Sequence, residues 1–363
     1  MDLKSIEVFK YNGNNSYSSV AIVDIWESLQ VDTNFYKWNE FQLNVSYTSQ
    51  NADVYKTNNV ILIDYIYYYI TSVQVDNIKS GIIVKGKSLF GHISDRMIIA
   101  ENINFYNQYP EDIMINLVNA NMLNPSDSRR KIQSLVYMEY GTPRLTNKIT
   151  MQQGLGQLED VILKMMISYK VGVSEIYKMT DDGSIKKQFT FVGGDDVSKA
   201  VEISTDFQNI VNPSYKDDIR SQKTYAYIAG EGDYPNRAKA SIGDNYADVD
   251  RKELYVDARD LQKTSNNVTM NDNDYKSAMI ARGYNKLSEN DRMLNFNGDI
   301  DLQSTLYTLD VDYRLGSRVT IKASEFGLSK TSQITTISYT FDAKGKHVEL
   351  KFDNDQNTQF YIK

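Results

Sequence analysis

The sequence predicts a β-rich α+β protein, on the strength of three observations. Short runs that alternate polar and apolar residues, such as residues 39–45, recur towards both ends of the chain. Apolar residues at helical spacing occur in a few separate segments between them. Tyrosine, which suits half-buried sheet positions, occurs 27 times in 363 residues, whereas proline occurs only 5 times. A chain of this length is expected to form more than one domain.

Residues 1–100 are predicted to form a first, small β-barrel domain. Strands are expected at residues 21–26, 39–45, 60–75 (one or two strands) and 82–86. Leu89, Ile93 and Met97 then follow at helical spacing, which predicts a short helix after the last of these strands. Several short strands closed by such a helix are typical of a small or split barrel.

Residues 101–220 are predicted to form an α/β domain. A first helix is expected to begin at Pro110, since proline suits the first turn and the acidic Glu111 and Asp112 favour the positive end of the helix dipole. A second helix is expected from near Gly156, and apolar residues on most of its circumference predict that it is buried. A hairpin is expected from residues 171–177 and 188–192, with its turn at residues 180–183.

Residues 221–363 are predicted to form a second β-barrel domain with a helical insertion near residues 265–295. Strands are expected at residues 224–230, 317–322, 332–339 and 347–352, and a helix at residues 274–289. Residues 233–250 are polar and are expected to form a loop or a hairpin. Residues 342–346 are expected to join the last two strands as a hairpin loop.

The composition argues against several classes of site. The chain has no cysteine, and only His92 and His347 are available for imidazole chemistry or zinc. A net charge of −7 argues against general nucleic-acid binding, which requires a basic surface. The first residues lack the pattern of a signal peptide, and the longest aliphatic run, residues 60–63, is too short to span a bilayer. We therefore expect a soluble protein without cofactor or metal.

The charged cluster Asp257, Arg259 and Asp260 is the main candidate site, and it has two interpretations. Two carboxylates could serve acid–base chemistry while the arginine holds an anion. Alternatively, Arg259 pairs with one or both aspartates at a corner where a strand gives way to a helical segment. The stretch has no histidine, nucleophile motif or glycine-rich loop beside it. We therefore interpret the three residues as a structural corner and expect no catalytic residue.

Two further motifs have ordinary structural explanations. The glycine-rich residues 154–159 lack the third glycine of a dinucleotide-binding loop and any following Gly-Lys-Ser/Thr. Tyr67, Tyr68 and Tyr69 could stack on sugars or bases, but alternation in a strand points Tyr68 away from its neighbours. We expect these tyrosines to serve the core and interfaces.

Five motifs in order resemble those of one protein family. They are residues 84–91 with Arg96 and Ile98, the helix start at residues 156–159, the strand at residues 225–230, the corner at residues 255–260, and residues 315–321 followed by 334–337. This set resembles siphophage tail-tip hub proteins, namely the N-terminal hub part of tail-associated lysins from phages of Gram-positive hosts. The baseplate hub of contractile-tailed phages is similar at a greater distance. Ser317 stands where the family often has aspartate.

The resemblance implies a ring-like trimer with two β-barrel domains in each subunit. Six similar faces would then dock on the hexameric distal tail protein, in contact with the tape-measure protein and receptor-binding proteins of the baseplate. The α/β domain and the helical insertion would gate the channel for DNA and tape-measure protein. Three copies carry a formal charge of −21, which suits passage of DNA without specific binding.

The resemblance also bears on enzymatic activity and location. In this family a wall-degrading domain follows the hub, and the sequence ends at Lys363, so we expect no lysin domain and a structural, non-enzymatic virion protein made in the host cytoplasm. The alternatives are a cell-wall hydrolase or carbohydrate-binding tail protein, and a component of a related contractile injection machine.

Overall fold

Strands from both ends of the chain share one large sheet in the computed structural model, which describes residues 6–48, 53–76, 81–100, 102–133, 135–140, 146–265, 267–300 and 306–352. The strands are β1 (Ile6–Gly13), β2 (Ser16–Val23), β3 (Ser28–Asn34), β4 (Glu40–Ser46), β5 (Val60–Ile63), β6 (Ile66–Asp76), β7 (Gly81–Ser88), β8 (Met97–Ile98), β9 (Ile103–Gln108), β10 (Leu135–Tyr140), β11 (Ile149–Gln153), β12 (Gly156–Gln157), β13 (Gly172–Met179), β14 (Ile185–Val192), β15 (Glu202–Ser204), β16 (Ile210–Asp218), β17 (Tyr225–Ala229), β18 (Lys239–Ile242), β19 (Glu253–Asp257), β20 (Thr264–Ser265), β21 (Val268–Thr269), β22 (Met293–Ile300), β23 (Arg318–Ala323), β24 (Leu328–Asp342) and β25 (Gly345–Phe352). The helices are α1 (Pro110–Val118), α2 (Leu158–Tyr169) and α3 (Asp272–Ser288). The predicted β-rich α+β class is confirmed.

The large sheet contains 13 strands in two groups that join edge to edge. The first group is β1 to β7; the second is β22 to β25 together with β15 and β16, which fall within the predicted α/β domain at residues 101–220. The order of the sheet is β16-β22-β25-β24-β3-β4-β7-β6-β5-β1-β2, and β23 pairs with both β24 and β15. The two groups of strands meet where β24 runs antiparallel to β3, from Thr336 opposite Asn34 to Asp342 opposite Ser28. We call this pairing the seam.

Two separate closed barrels, predicted from the sequence and its family resemblance, are not seen in the described part of the chain. There, β2 pairs only with β1 and β16 pairs only with β22, so each end of the sheet is an open edge. The reason lies in β24, whose 15 residues extend well beyond its pairing with β23. Its second half is free to pair with β3 of the other group.

Each group of strands buries its own apolar core. In β4 the side chains of Phe41, Leu43 and Val45 face the first core, while the intervening residues are half-buried, as period-two alternation requires. Tyr68 is fully buried in this core, whereas Tyr67 packs in a separate cluster. The predicted alternation of the three tyrosines is therefore confirmed for this pair. A second core is formed by β22 to β25 and their neighbours.

In the middle region of the chain, α1, α2 and the sheet β10-β14-β13 pack around a further core, which we call the middle core. The helix predicted to begin at Pro110 does so, and the predicted turn at residues 180–183 joins β13 to β14. The short helix predicted after β7 is a 3-10 helix, Leu89–Asp95, which ends before Met97; that residue is exposed in β8. Phe90 of this short helix is completely buried in the middle core, which attaches it to the first group of strands.

Helix α3 lies on a small three-stranded sheet, β18-β17-β19. The side chain of Asn271 caps the helix, because its Oδ1 accepts a hydrogen bond from the Asp274 backbone N–H at 2.9 Å. Gly283 allows close approach to the sheet, since a Cβ there would lie 2.8 Å from Cδ1 of Ile228. Among the described residues, none of the helices combines the length and apolar character needed to cross a membrane.

Candidate functional site: a salt-bridged corner and a junction

The predicted corner forms a tight turn at the end of β19. This strand runs parallel to β17 and ends at Asp257, after which the Ala258 backbone N–H donates to the Ala229 carbonyl at 2.8 Å. The Asp257 carboxylate accepts the Arg259 backbone N–H at 3.2 Å, and the Leu261 N–H closes the turn on the Ala258 carbonyl at 3.1 Å. The aspartate therefore shapes the backbone locally, as such side chains commonly do in turns.

Asp257 forms an ion pair with Arg237, a residue that sequence reasoning did not identify. The Arg237 side chain is completely buried, and its guanidinium also donates to the carbonyls of Ala229 and Gly230, each at 2.6 Å, and to the Tyr255 hydroxyl at 2.9 Å. This guanidinium holds the pKa of the Asp257 carboxyl below its usual range. Because all these partners lie on β17 to β19 or the loops between them, the arginine ties the small sheet together.

Asp260 forms a second, separate ion pair. Its two oxygens accept from the two terminal nitrogens of Arg282 on α3, at 3.1 and 2.9 Å. The Arg259 side chain, by contrast, is 65% exposed, and its Nε lies 3.8 Å from Asp257. The three predicted residues therefore do lie together, but the closest cationic partners of the two aspartates are Arg237 and Arg282.

The corner also contacts the middle of the chain. The Gln262 backbone N–H donates to the Gln152 Oε1 at 2.9 Å, and the Gln152 Nε2 donates to the Gln262 carbonyl at 3.0 Å. The Tyr275 hydroxyl of α3 donates to the Leu261 carbonyl at 2.8 Å and accepts the Glu231 backbone N–H at 2.7 Å. The corner thus connects a strand of the small sheet, α3 and β11.

A second polar cluster lies where the middle region meets the first group of strands. The Glu175 carboxylate in β13 accepts hydrogen bonds from the Ser88 hydroxyl at 2.6 Å, and from the Asn39 Nδ2 and the Phe90 backbone N–H at 3.3 Å each. Tyr177 also donates its hydroxyl proton to this carboxylate. Burial raises the pKa of Glu175, against the opposing effect of these donors. We call this cluster the Glu175 junction.

In both clusters the carboxylates are engaged in contacts that hold segments of the fold together. Asp257 and Asp260 are each bound to a guanidinium, and Glu175 is surrounded by donors from three segments. Across the described ranges, no group of three or more histidine, aspartate or glutamate side chains is placed to hold a metal ion. A sequence signal for Arg237 and Glu175 is lacking, since one lies in a polar stretch and the other in an ordinary strand.

Three solved structures share this fold along nearly the whole chain. The prophage tail protein gp18 from Listeria monocytogenes EGD-e has a TM-score of 0.57 at 14% identity, covering 96% of this chain and 94% of that chain. The 43 kDa tail protein of prophage MuSo2 from Shewanella oneidensis has a TM-score of 0.55 at 10% identity, covering 98% and 99%. The tail protein from Neisseria meningitidis MC58 has a TM-score of 0.53 at 14% identity, covering 97% and 96%. The chain therefore has the fold of this class of tail proteins.

The family is shown by a sequence model that spans almost the whole chain. The model of Siphovirus ReqiPepy6 Gp37-like proteins matches residues 6–352, which include both groups of strands, the corner and the junction. The chain belongs to this family. No curated protein matches it. These matches confirm part of the resemblance drawn from the sequence motifs: the chain belongs to a siphovirus family and has the fold of tail proteins.

Proposed function

We propose that this protein is a structural component of a phage tail, positioned as the hub at the tail tip or baseplate. The observation that carries this proposal is the end-to-end match of fold with three tail proteins, together with a siphovirus family match over residues 6–352. The match extends over the whole chain, and the architectural role is inferred from it by analogy of fold and family. The protein then belongs to the virion.

The hub is proposed to be a ring-like trimer. In support, each chain presents two groups of strands with separate cores, so that three chains would offer six strand groups to a hexameric distal tail protein. We retain residues 1–100, 101–220 and 221–363 as the proposed domains. The α/β domain and the α3 region would lie distally and gate the channel. Tape-measure protein and receptor-binding proteins are the further proposed neighbours.

The stoichiometry of the purified protein tests the proposed trimer. Three copies of a 41.6 kDa chain have a mass of about 125 kDa, which light scattering coupled to gel filtration measures directly. The same experiment with the purified distal tail ring should give a complex of one trimer with one hexamer. A protein that stays monomeric, both alone and with the ring, would refute the hub proposal.

The proposed function is structural, and a separate experiment addresses the hydrolase alternative. The carboxylates of the corner are engaged by Arg237 and Arg282, which supports a role in holding the fold. Incubation of the pure protein with host cell walls should therefore release no soluble sugar or peptide. Release that a single carboxylate substitution abolishes would favour an enzyme instead.

A further inference from the structure

A cleft of about 570 Å³ opens where the β1–β2 hairpin, the 3-10 helix after β7 and strand β14 come together. We call it the basic cleft, because four cationic side chains line it together with His92: Arg96, Arg129, Lys131 and Lys187. In the part of the chain that the structure describes, no aspartate or glutamate lines it. Two of these residues pair with aspartates beside the cleft, His92 with Asp95 at 2.8 Å and Arg129 with Asp127 at 2.7 Å. Among the described residues, Arg96, Lys131 and Lys187 form no ion pair with a carboxylate, so the net charge of the lining is positive.

Lys187 contributes a buried positive charge to the basic cleft. Only 2% of this residue is exposed, and its Nζ donates to the Asn15 Oδ1 at 2.6 Å and to the carbonyls of Gln133 and Ile185 at 3.0 and 3.1 Å. All three acceptors are neutral, and burial lowers the pKa of Lys187 to about 8. A buried ammonium held only by dipoles is costly, and a nearby anion would offset that cost.

Arg96 is held in place with part of its guanidinium still available. Its Nε donates to the Arg130 carbonyl and its Nη1 to the Asp95 carbonyl, each at 2.9 Å. Burial lowers the pKa of Arg96; the charge of Asp95 opposes this effect, and the charge of Arg130 adds to it. The remaining terminal nitrogen, Nη2, makes no hydrogen bond to any described residue, so the side chain is fixed and retains donors for an external acceptor.

Uncharged donors and exposed bases complete the lining. Lys131 is exposed at the rim, and Arg129 binds Asp127 through its Nε and Nη2 only. Burial raises the pKa of Tyr17 to about 12, so its hydroxyl keeps its proton at neutral pH. The Tyr69 ring stacks on His92 at 4.2 Å between centroids, which fixes both rings at the wall of the cleft.

We infer that the basic cleft binds a phosphate group, either free or as an ester on a larger molecule. Donors reach the cleft from several segments, and the oxygens of a tetrahedral phosphate can accept from several directions, whereas a flat carboxylate accepts mainly in its plane. The cavity volume leaves room for a group attached to the phosphate. This inference is independent of the tail-hub proposal, because it rests on the cleft of a single chain.

Calorimetric titration at constant ionic strength tests the inference, since salt screens weak surface attraction. Inorganic phosphate, pyrophosphate and glycerol 3-phosphate are the probes, with the flat acetate ion as the comparison anion. We expect saturable binding of one probe molecule per chain, and acetate at least tenfold weaker. Tighter binding of glycerol 3-phosphate than of inorganic phosphate would identify an ester as the occupant, and the reverse order would identify free phosphate.

Two cleft variants and a matched control locate the binding. Arg96→Gln and Lys131→Gln should each weaken binding about tenfold or more, as loss of a charge-assisted hydrogen bond or a nearby charge predicts. Lys344→Gln, in the exposed β24–β25 loop, should bind as the wild type does. Lys131 is exposed, so its variant carries the test if Arg96→Gln fails to fold. Absence of saturable binding, equal binding of acetate, or unchanged affinity in the cleft variant would overturn the inference.

Discussion

Replacing Glu175 with alanine should loosen the attachment of the middle region to the first group of strands. The substitution removes the acceptor shared by Ser88, Asn39, Phe90 and Tyr177. Ser88 and Phe90 are both completely buried, so their donors depend on this carboxylate for a partner. The damage is therefore expected at the Glu175 junction and not in the surrounding apolar cores.

The magnitude follows from the donors left without a partner. A buried donor that loses its acceptor costs about 1–3 kcal/mol, so the two fully buried ones together predict a loss of about 2–6 kcal/mol. Part of this is offset, because removing the carboxylate also removes the cost of burying it, which its raised pKa reveals. We expect a net loss of about 2–4 kcal/mol, a large fraction of the stability of an ordinary protein. Glu175→Gln retains one acceptor oxygen and should lose less, about 1–2 kcal/mol.

Urea unfolding followed by tryptophan fluorescence measures this effect. Trp38 is 5% exposed and lies in the middle core, so its emission reports on the region that the substitution affects. Glu349→Ala is the matched control, since this half-exposed carboxylate on β25 lies 3.9 Å from Lys351 and is expected to matter little. If Glu175→Ala unfolds at the same urea concentration as Glu349→Ala, the junction does not hold the two regions together.

Three further outcomes are expected. Arg237→Met should lower the melting temperature strongly, because it removes a buried guanidinium that donates several hydrogen bonds. Arg259→Ala, at an exposed side chain, should change the melting temperature little. Equal melting temperatures for the two variants would contradict the assignment of the corner. Between pH 8 and about 10 the folded chain binds fewer protons at Lys187 than the unfolded chain does. The free energy of unfolding of the wild type should therefore rise with pH relative to that of Lys187→Met. Urea titrations that give parallel pH curves for the two proteins would refute this. Gly283→Val should destabilise the protein by about 1–3 kcal/mol through crowding against Ile228. Gly283→Ala should change the stability by less than about 1 kcal/mol, because the gain in helix propensity offsets the tighter packing. Calorimetric melting compares the two variants, and equal losses of stability would contradict this account.

Local elements were predictable from the sequence because their signals lie within a few residues. Pro110 with its acidic neighbours marked the start of α1, and the turn at residues 180–183 marked the β13–β14 hairpin. The joining of the strand groups was not predictable in this way. The seam pairs Asn34 with Thr336, and nothing local in either strand specifies so distant a partner.

The site shows the same division. Asp257 and Asp260 attracted attention through their spacing to Arg259, and the structure does place the three in one turn. Their closest cationic partners are 20 and 22 residues away in sequence, at Arg237 and Arg282, where only the packing of the small sheet and α3 brings them close. Arg259 was assigned the central role because it is adjacent in sequence, yet it lies in the turn after β19 with its side chain 65% exposed.

The seam has a mechanical consequence. Strand β24 of the second group pairs directly with β3 of the first group. Tension applied to one group therefore passes into the other through seven opposed residue pairs and not through a flexible linker. Stretching along the strand axis would have to shear these pairs together, whereas a pull across them would open them one after another. We therefore expect the seam to resist force along β24 more strongly than force across it.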